Sequence, residues 1–446
     1  MANNTYPTKA LETDRMPPGI PYIIGNEAAE RFSFYGMRTI LVVFMTKCLV
    51  DRMGQPDHMS PEQAKAWFHT FVSAVYFLPF LGAIVADAFL GKYRTIFWLS
   101  LVYCLGHLAL ALDDTRLGLT AGLILISLGS GGIKPCVSAN VGDQFGLRNQ
   151  HLLPRIFSWF YFSINFGSFF STMLTPWLLD KYGPRVAFGV PGIFMLLATI
   201  IFWLGRNTYV RVPPAGKQFV RELFRVDNLK LIAGLIPIYL AVAMFWSLWD
   251  QTGSAWVLQA EKMNLRFLGF TWLPSQVQAA NPILILLLIP LSTYLVYPMI
   301  SRVFPLTPLR KIALGFFLTV PSFLLTAWVE QQISLGHKPN IGWQILSYII
   351  ISQAEIMVSI TCLEFSYSQA PRELKSLIMS LYLASVGLGN AFTALINVLI
   401  QKPDGTSLLS GPAYFLFFAG LMALTAVAFI FIAMKYREKK FLPVAA

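Results

Sequence analysis

Charge is scarce in this chain. Only 13% of its 446 residues are Asp, Glu, Lys or Arg, where a soluble globular protein carries about 25%. Cysteine is scarcer still. Cys48, Cys104, Cys136 and Cys362 are scattered, mostly inside apolar runs, without a CxxC pair. That excludes a disulfide framework and a cysteine-rich zinc site. There is no phosphate loop, no metal-ligand cluster and no nucleophile–base pair in the sequence. Enzymatic chemistry and a resident cofactor are therefore not expected. The first 20 residues are polar and contain Pro7, Pro17 and Pro18, so no secretory signal peptide is expected ahead of the first apolar segment.

What the chain has in abundance is apolar surface, with 56% hydrophobic residues. A membrane-spanning helix needs about 20 such residues. Roughly twelve of these helices would use almost the whole apolar supply. An all-α polytopic membrane protein is expected. Windows of spanning length fall at 21–49, 66–90, 95–112, 117–141, 155–179 and 187–205. A polar, basic stretch follows, and then windows at 231–259, 277–303, 309–330, 342–368, 376–400 and 411–434. The division reads as a six-helix bundle at 1–205, a basic cytoplasmic linker at 206–230 and a second six-helix bundle at 231–446. The net charge of +12 would suit nucleic acid on a soluble protein. Here the bases lie between apolar segments, so topology explains them and no nucleic-acid partner is expected. Loop bases favour the side holding both ends and the linker by about two to one, which predicts cytoplasmic termini. Basic turns after the second and eighth windows, at 91–95 and 301–311, fit two parallel six-helix repeats.

An ionisable side chain at the centre of a span costs about 2.5–3.5 kcal/mol on insertion. The first window nevertheless holds Glu27, Glu30, Arg31 and Arg38. At about 100° per residue, Glu27, Arg31, Phe34 and Arg38 lie within about 40° of one another, with Glu30 about 60° aside. This stripe must face protein or water. Snorkelling does not explain Arg38, because the span runs on to Met45. The fourth window holds Lys134 in a glycine-rich stretch just before Pro135. A lone buried lysine loses its proton or finds an acid. Glu355 in the tenth window offers one, with Ser359, Cys362 and Ser366 on its face and Glu364 about 180° away. Asp250, Gln251, His69, Asp87 and Asn281 add polarity to other spans. The whole set is expected to converge on one central cavity. A set of purely structural ion pairs would use more Ser, Thr and Asn and fewer full charges. His69 reads equally as a proton site and as a satisfied core histidine, and His107 as core.

These residues resemble the proton-dependent oligopeptide transporter (POT) family of the major facilitator superfamily. The stretch from Glu27 through Glu30, Arg31, Phe32, Tyr35 and Gly36 is similar to the family's ExxERFxxYG pattern. The run Gly82–Lys92 with Asp87, the run Phe157–Ser168 with Tyr161, Asn165 and Gly167, and the Phe-Trp…Asp-Gln…Gly-Ser run at 245–254 resemble further family signatures. The stretch 359–371 looks especially like the mammalian intestinal peptide transporter. The likeness covers nearly the whole chain.

The resemblance implies a major facilitator fold with 12 transmembrane helices. It also implies proton-coupled symport of di- and tripeptides into the cell by alternating access. It assigns Arg31, Arg38 and Lys134 to the peptide carboxylate and the proton. Asn165, Asn281 and Glu355 go to the peptide amino end, with Ser359 on the face of Glu355. Tyr35, Tyr76 and Trp246 line the pocket. Glu27, Glu30, His69 and Asp250 join Arg31, Lys134 and Glu355 in proton coupling, Asp250 as an outer-gate acid. The chain departs from the family at Phe34 (often tyrosine), Tyr382 (tryptophan) and Cys362 (glycine). No base lies within 231–249 to pair with Asp250. A monomer in the cell membrane (inner or plasma) is expected. Alternatives on the same fold are a carrier of another small solute, such as an amino acid or nitrate, and a transport-inactive peptide sensor.

Taken without the family, the charges suit a zwitterion. Three bases in the first half offer a patch for a carboxylate, and Glu355 in the second offers one for an ammonium. With no cargo, Lys134 and Glu355 are expected to neutralise each other.

Overall fold

The computed structural model describes residues 6–10, 12–214, 216, 226–369, 375–403 and 406–436. Part of the linker (215 and 217–225), the motif residue Pro371 and the C-terminal tail lie outside the described residues.

Those residues hold twelve helices of spanning length, as an all-α polytopic major facilitator chain requires. They are α1 (Ile20–Lys47), α2 (Pro61–Ile84), α3 (Lys92–Leu112), α4 (Arg116–Asp143), α5 (Leu153–Tyr182) and α6 (Pro184–Leu204), then α7 (Val226–Trp249), α8 (Ala280–Leu291), α9 (Pro308–Ser334), α10 (Gly342–Glu355), α11 (Lys375–Ile400) and α12 (Pro412–Lys435). Helix α7 continues through a 3-10 turn (Asp250–Gly253) into Ala255–Ala260. Helices α8 and α10 continue through π turns at Ser292–Val296 and Ile356–Ile360. The apolar windows read from sequence match these helices to within a few residues. Ten spans are apolar enough to cross a membrane by length and composition. The other two are α1, which carries the charge stripe, and α5.

The prolines sit where a membrane helix tolerates them. Pro79, Pro135, Pro176, Pro191, Pro237, Pro290 and Pro321 each lie inside a helix and remove one rung of its ladder. Helix α2 ends in a π turn, Val85–Leu90, downstream of Pro79. Helix α8 meets its own π turn downstream of Pro290. The second helix of each half is thus distorted in the same way, a structural echo of the basic turns that follow both.

The chain divides into two compact units, Met1–His58 with Ala74–Phe224, and Met59–Ser73 with Arg225–Ala446. Residues 59–73, read from sequence as part of the first bundle, group with the second unit. Each unit has an aromatic core, including Phe34, Phe44, Tyr103, Phe188 and Phe202 in the first and Phe245, Trp256, Phe316, Phe323 and Tyr348 in the second. Large apolar side chains such as Phe162 and Phe166 of α5 and Leu424 and Phe431 of α12 stay exposed, as lipid-facing positions do. A two-strand hairpin, β1 (Arg266–Phe267) with β2 (Phe270–Thr271), joins α7 to α8.

Helix α5 crosses α1 at Gly167. A methyl there would stand 2.7 Å from the Ala28 carbonyl and 3.0 Å from the Phe32 nitrogen. Backbone cannot yield as a flexible side chain does, so Gly167→Val should push the two helices apart. We expect a destabilisation of about 2–3 kcal/mol in detergent melts. An unchanged midpoint would show that the crossing relaxes freely.

In the loop before α2, Arg116 grips Asp57 with two hydrogen bonds, Nε to Oδ2 at 2.6 Å and Nη2 to Oδ1 at 2.9 Å. That bond holds the Asp57 carboxyl below its usual range. A lowered carboxyl stabilises the fold above its unfolded value, about 3.9, and loses that contribution as pH falls through the folded value. Asp57→Asn should therefore lower the melting temperature slightly at neutral pH, with the difference from wild type closing below about pH 4. A difference that persists at lower pH would mean that Asp57 acts by something other than its charge.

Candidate functional site

Two groups of polar side chains stand out, a buried one in the first unit and a half-buried one in the second. The first is built on α1. Glu27, Glu30, Arg31 and Arg38 are all at most 7% exposed. Arg31 Nε lies 2.9 Å from Glu27 Oε1 and 2.6 Å from Glu30 Oε2. The first pair is one helical turn apart, as the helix geometry favours, whereas the second joins adjacent positions and depends on the long arginine side chain reaching round. Thr39 returns its hydroxyl to the Tyr35 carbonyl at 2.7 Å.

Lys134 joins this group from α4. Its ammonium sits 4.4 Å over the Phe34 ring and 4.2 Å over the Tyr76 ring. Among the described residues its Nζ is buried and makes no hydrogen bond. It lies within the field of Arg31, Glu30, Arg38 and Glu27. Two π faces are a partial substitute for water, worth about 2 kcal/mol each when desolvated. They do not neutralise the charge. Within the first unit the group therefore holds three cations and two carboxylates. Arg31 is taken by both acids, and the lysine has aromatic faces instead of an acceptor.

Asn165 of α5 is 8% exposed and donates to its own helix, at the Tyr161 carbonyl 2.9 Å away. His107 takes the core role expected of it. Its Nε2 meets Ser33 Oγ at 2.8 Å, and its ring stacks on Tyr103.

The second group centres on Glu355 at the end of α10. Its Oε2 accepts from Trp249 Nε1 at 2.9 Å and from Asn281 Nδ2 at 2.7 Å. The same Asn281 amide reaches Ser352 Oγ at 3.0 Å. Both of these donors are neutral. Trp246 stands edge-on to Trp249, with ring centroids 5.3 Å apart. Ser359 bonds elsewhere, its hydroxyl lying 3.1 Å from the Tyr382 hydroxyl of α11.

A relay in the same unit links two further candidates. Asp250 Oδ2 accepts from Asn390 Nδ2 at 2.6 Å. Asn390 Oδ1 lies 2.7 Å from His69 Nδ1, and His69 Nε2 lies 2.8 Å from Ser254 Oγ. Since Asn390 Oδ1 is an acceptor, the Nδ1 of His69 is the donor. His69 is fully buried with both ring nitrogens bonded. The acid that lacked a base nearby in sequence thus reaches an imidazole through one amide. Sequence reasoning missed Trp249, Asn390 and Ser254. The mark each leaves is a polar or amphipathic residue in an apolar span, with no charge to draw attention.

Lys65 was also missed. It is 6% exposed, with Nζ 3.9 Å over the Tyr414 ring and 3.6 Å from Glu62. Among the described residues no group of three or more His, Cys, Asp or Glu is placed to hold a metal ion.

Comparison with known proteins gives a consistent picture. The POT family model matches residues 93–226 and 221–416. The chain is 38% identical over 364 residues to "Peptide transporter family 1" of Drosophila melanogaster, covering 71% of this chain and 48% of that protein. It is 35% identical over 408 residues to human "Solute carrier family 15 member 2", covering 80% of this chain and 54% of that protein. It therefore spans about half the length of the curated relatives it matches. A crystal structure of an auto-inhibited POT family peptide transporter superposes with a TM-score of 0.86 at 36% identity, covering 96% of this chain and 99% of that one. The in meso crystal structure of another POT family transporter gives 0.84 at 38% identity, covering 95% and 99%.

Proposed function

Because this chain belongs to the POT family, we propose that it moves di- and tripeptides across a membrane together with protons, by alternating access. One observation carries the proposal. The buried ammonium of Lys134 makes no hydrogen bond among the described residues and rests on two aromatic faces, and such a charge is costly to keep unless an anionic ligand uses it. In the other unit a half-buried carboxylate, Glu355, held by Trp249 and Asn281, offers a charge for a cationic end. A peptide zwitterion carries both charges.

In this reading Arg31, Arg38 and Lys134 take the peptide carboxylate. Glu355, with Asn165, Asn281 and Ser359, takes the ammonium end. Main-chain recognition of that kind leaves side chains unspecified, and Tyr35, Tyr76 and Trp246 give them amphipathic walls. The proton is handled by Glu27, Glu30, Arg31, Lys134 and Glu355, with His69 and Asp250. Transport runs into the cell through a cell membrane, both termini face the cytoplasm, and the carrier acts as a monomer. The bundles at 1–205 and 231–446 rock about the linker at 206–230.

Symport has an electrostatic reason here. A carboxylate arriving alone lowers the net charge of the first group by one, and a proton arriving alone raises it by one. Arriving together they leave the first group unchanged, while the peptide ammonium meets Glu355 in the second, so the loaded carrier differs from the empty one by the single positive charge that the proton brings. Single-ligand states carry an altered charge at a cost of several kcal/mol.

The test is uptake of labelled alanylalanine into proteoliposomes with an inward proton gradient. Uptake should be concentrative, should rise with the gradient and should be lost in Glu30→Gln. An absence of uptake, or uptake indifferent to the gradient, refutes the reading. Competition by free amino acids or nitrate, but not by peptides, would move it to another solute.

A further inference from the structure

The first unit has a second polar site, remote in chemistry from the carboxylate-paired group on α1. A cavity of about 420 Å³ lies between the α2–α3 turn, the first turn of α3, the end of α4 and the chain segments at 6–8 and 210–214. Three cations line it, Lys92, Arg94 and Arg211, against one carboxylate, Asp143. Lys92 is already committed to that carboxylate at 2.6 Å. The arginines hold the surplus.

Arg211 is held ready rather than neutralised. Its guanidinium lies 3.4 Å over the Tyr6 ring and 3.7 Å over the Tyr93 ring. One Nη donates to the Arg206 carbonyl at 2.6 Å. Its Nε is buried and, among the described residues, has no acceptor. Asn140, 2% exposed, is the second such donor. Its Oδ1 accepts from Gln144 at 3.2 Å, and its Nδ2 is buried with no acceptor. The first-turn amides of α3 add donors that no carbonyl of the helix can satisfy. The wall is thus rich in donors and poor in acceptors. A ligand that only accepts, with several oxygens and a negative charge, completes it. The rim is apolar. Phe89, at the end of the α2 span, is 71% exposed, and Val212, in the segment after α6, is 43% exposed.

We propose that this cavity binds a phosphate-bearing anion, either the phosphodiester headgroup of an anionic phospholipid or a soluble phosphate. The oxygens take Arg211 Nε, Asn140 Nδ2 and the amides of α3. The acyl chains of a lipid lie on Phe89 and Val212. Occupancy ties the N-terminal segment to the linker, because the Arg211 amide also donates to the Pro7 carbonyl at 2.8 Å.

Native mass spectrometry of the whole chain in zwitterionic detergent tests this, with phosphatidylglycerol and phosphatidylcholine offered in equal amounts. Retention of phosphatidylglycerol should exceed that of phosphatidylcholine by about tenfold, and Arg211→Gln and Asn140→Leu should each remove most of that preference. Inorganic phosphate should displace the lipid and, alone, raise the melting temperature more than chloride at equal ionic strength. A phosphate effect without a lipid preference assigns the site to the soluble anion. Equal retention of both lipids with no phosphate effect overturns the proposal, and so does a preference unchanged in both variants. Should a variant fold poorly, the lipid preference and phosphate displacement of the wild type still decide. The readout is binding, so its outcome does not depend on whether the chain transports peptides.

Discussion

Lys134→Ala is expected to abolish concentrative uptake while leaving peptide exchange. One charge moving through about 100 mV supplies about 2.3 kcal/mol, enough for roughly 50-fold accumulation at 1.4 kcal/mol per tenfold. The variant should reach an inside-to-outside ratio of about one, with counterflow within about tenfold of wild type. The reason lies in the first buried group. Lys134 stands in the field of Glu27 and Glu30 as the third cation of their group. In the proposed cycle its charge is what a departing proton leaves those acids paired with, and net transport requires that departure, whereas exchange of one loaded carrier for another does not. In the proposed reading Arg31 and Arg38 remain for the carboxylate, so binding weakens without vanishing. Removal of a buried, acceptor-less cation is not expected to cost stability beyond the cavity left behind. Lys134→Met, which keeps the length and loses the charge, controls for that cavity and should behave the same way. Measured in proteoliposomes, full accumulation in either variant would remove Lys134 from the coupling role.

The same group shows what the sequence made legible and why. A helical period of about 100° per residue put Glu27, Arg31, Phe34 and Arg38 on one stripe of α1. The contacts of Arg31 with Glu27 and of Lys134 with Phe34 are consequences of that stripe. Local periodicity and an aversion of charge to lipid were enough. The spans were legible for the same reason, since hydrophobic length sets them. At the other end of the problem the period gave no warning of the π turn that begins at Ile356. Such a turn is a hydrogen-bond shift with no composition signal. The Glu355 shell was half legible. Asn281 carried a resemblance, but Trp249 looked like one more apolar residue. The relay on Asp250 was hidden more thoroughly. Its partner Asn390 lies 140 residues away in sequence, is uncharged, and sits in a run, Val-Gly-Leu-Gly-Asn, that reads as ordinary helix packing.

Asn390→Leu is expected to be the most damaging neutral substitution in the second unit. The amide donates to Asp250 at 2.6 Å and lies as acceptor 2.7 Å from His69 Nδ1. Leucine fills similar space and can do neither. Asp250 and His69 are at most 1% exposed, so each loses a partner where water is not at hand to replace it. A buried group deprived of a partner costs about 1–3 kcal/mol, more when charged, and the variant should lose about 3 kcal/mol or more in all. At about 2–4 °C per kcal/mol for a unit of this size, the melting temperature should fall by roughly 6–12 °C. Packing makes the site unforgiving. Gly389, the preceding residue, lets α11 press onto α7 so closely that a methyl there would overlap the Ala243 carbonyl. Ser247 and Thr393 join hydroxyls across the same crossing at 2.7 Å, so the helices cannot part to admit water. Asn390→Asp separates the relay from simple packing. It sets two carboxylates oxygen to oxygen, and they coexist only by sharing a proton. That variant should therefore gain more stability between pH 8 and pH 5 than Asn390→Leu, which adds no second carboxylate. Equal melting of the two variants across that range would show that the amide is only a spacer between α7 and α11.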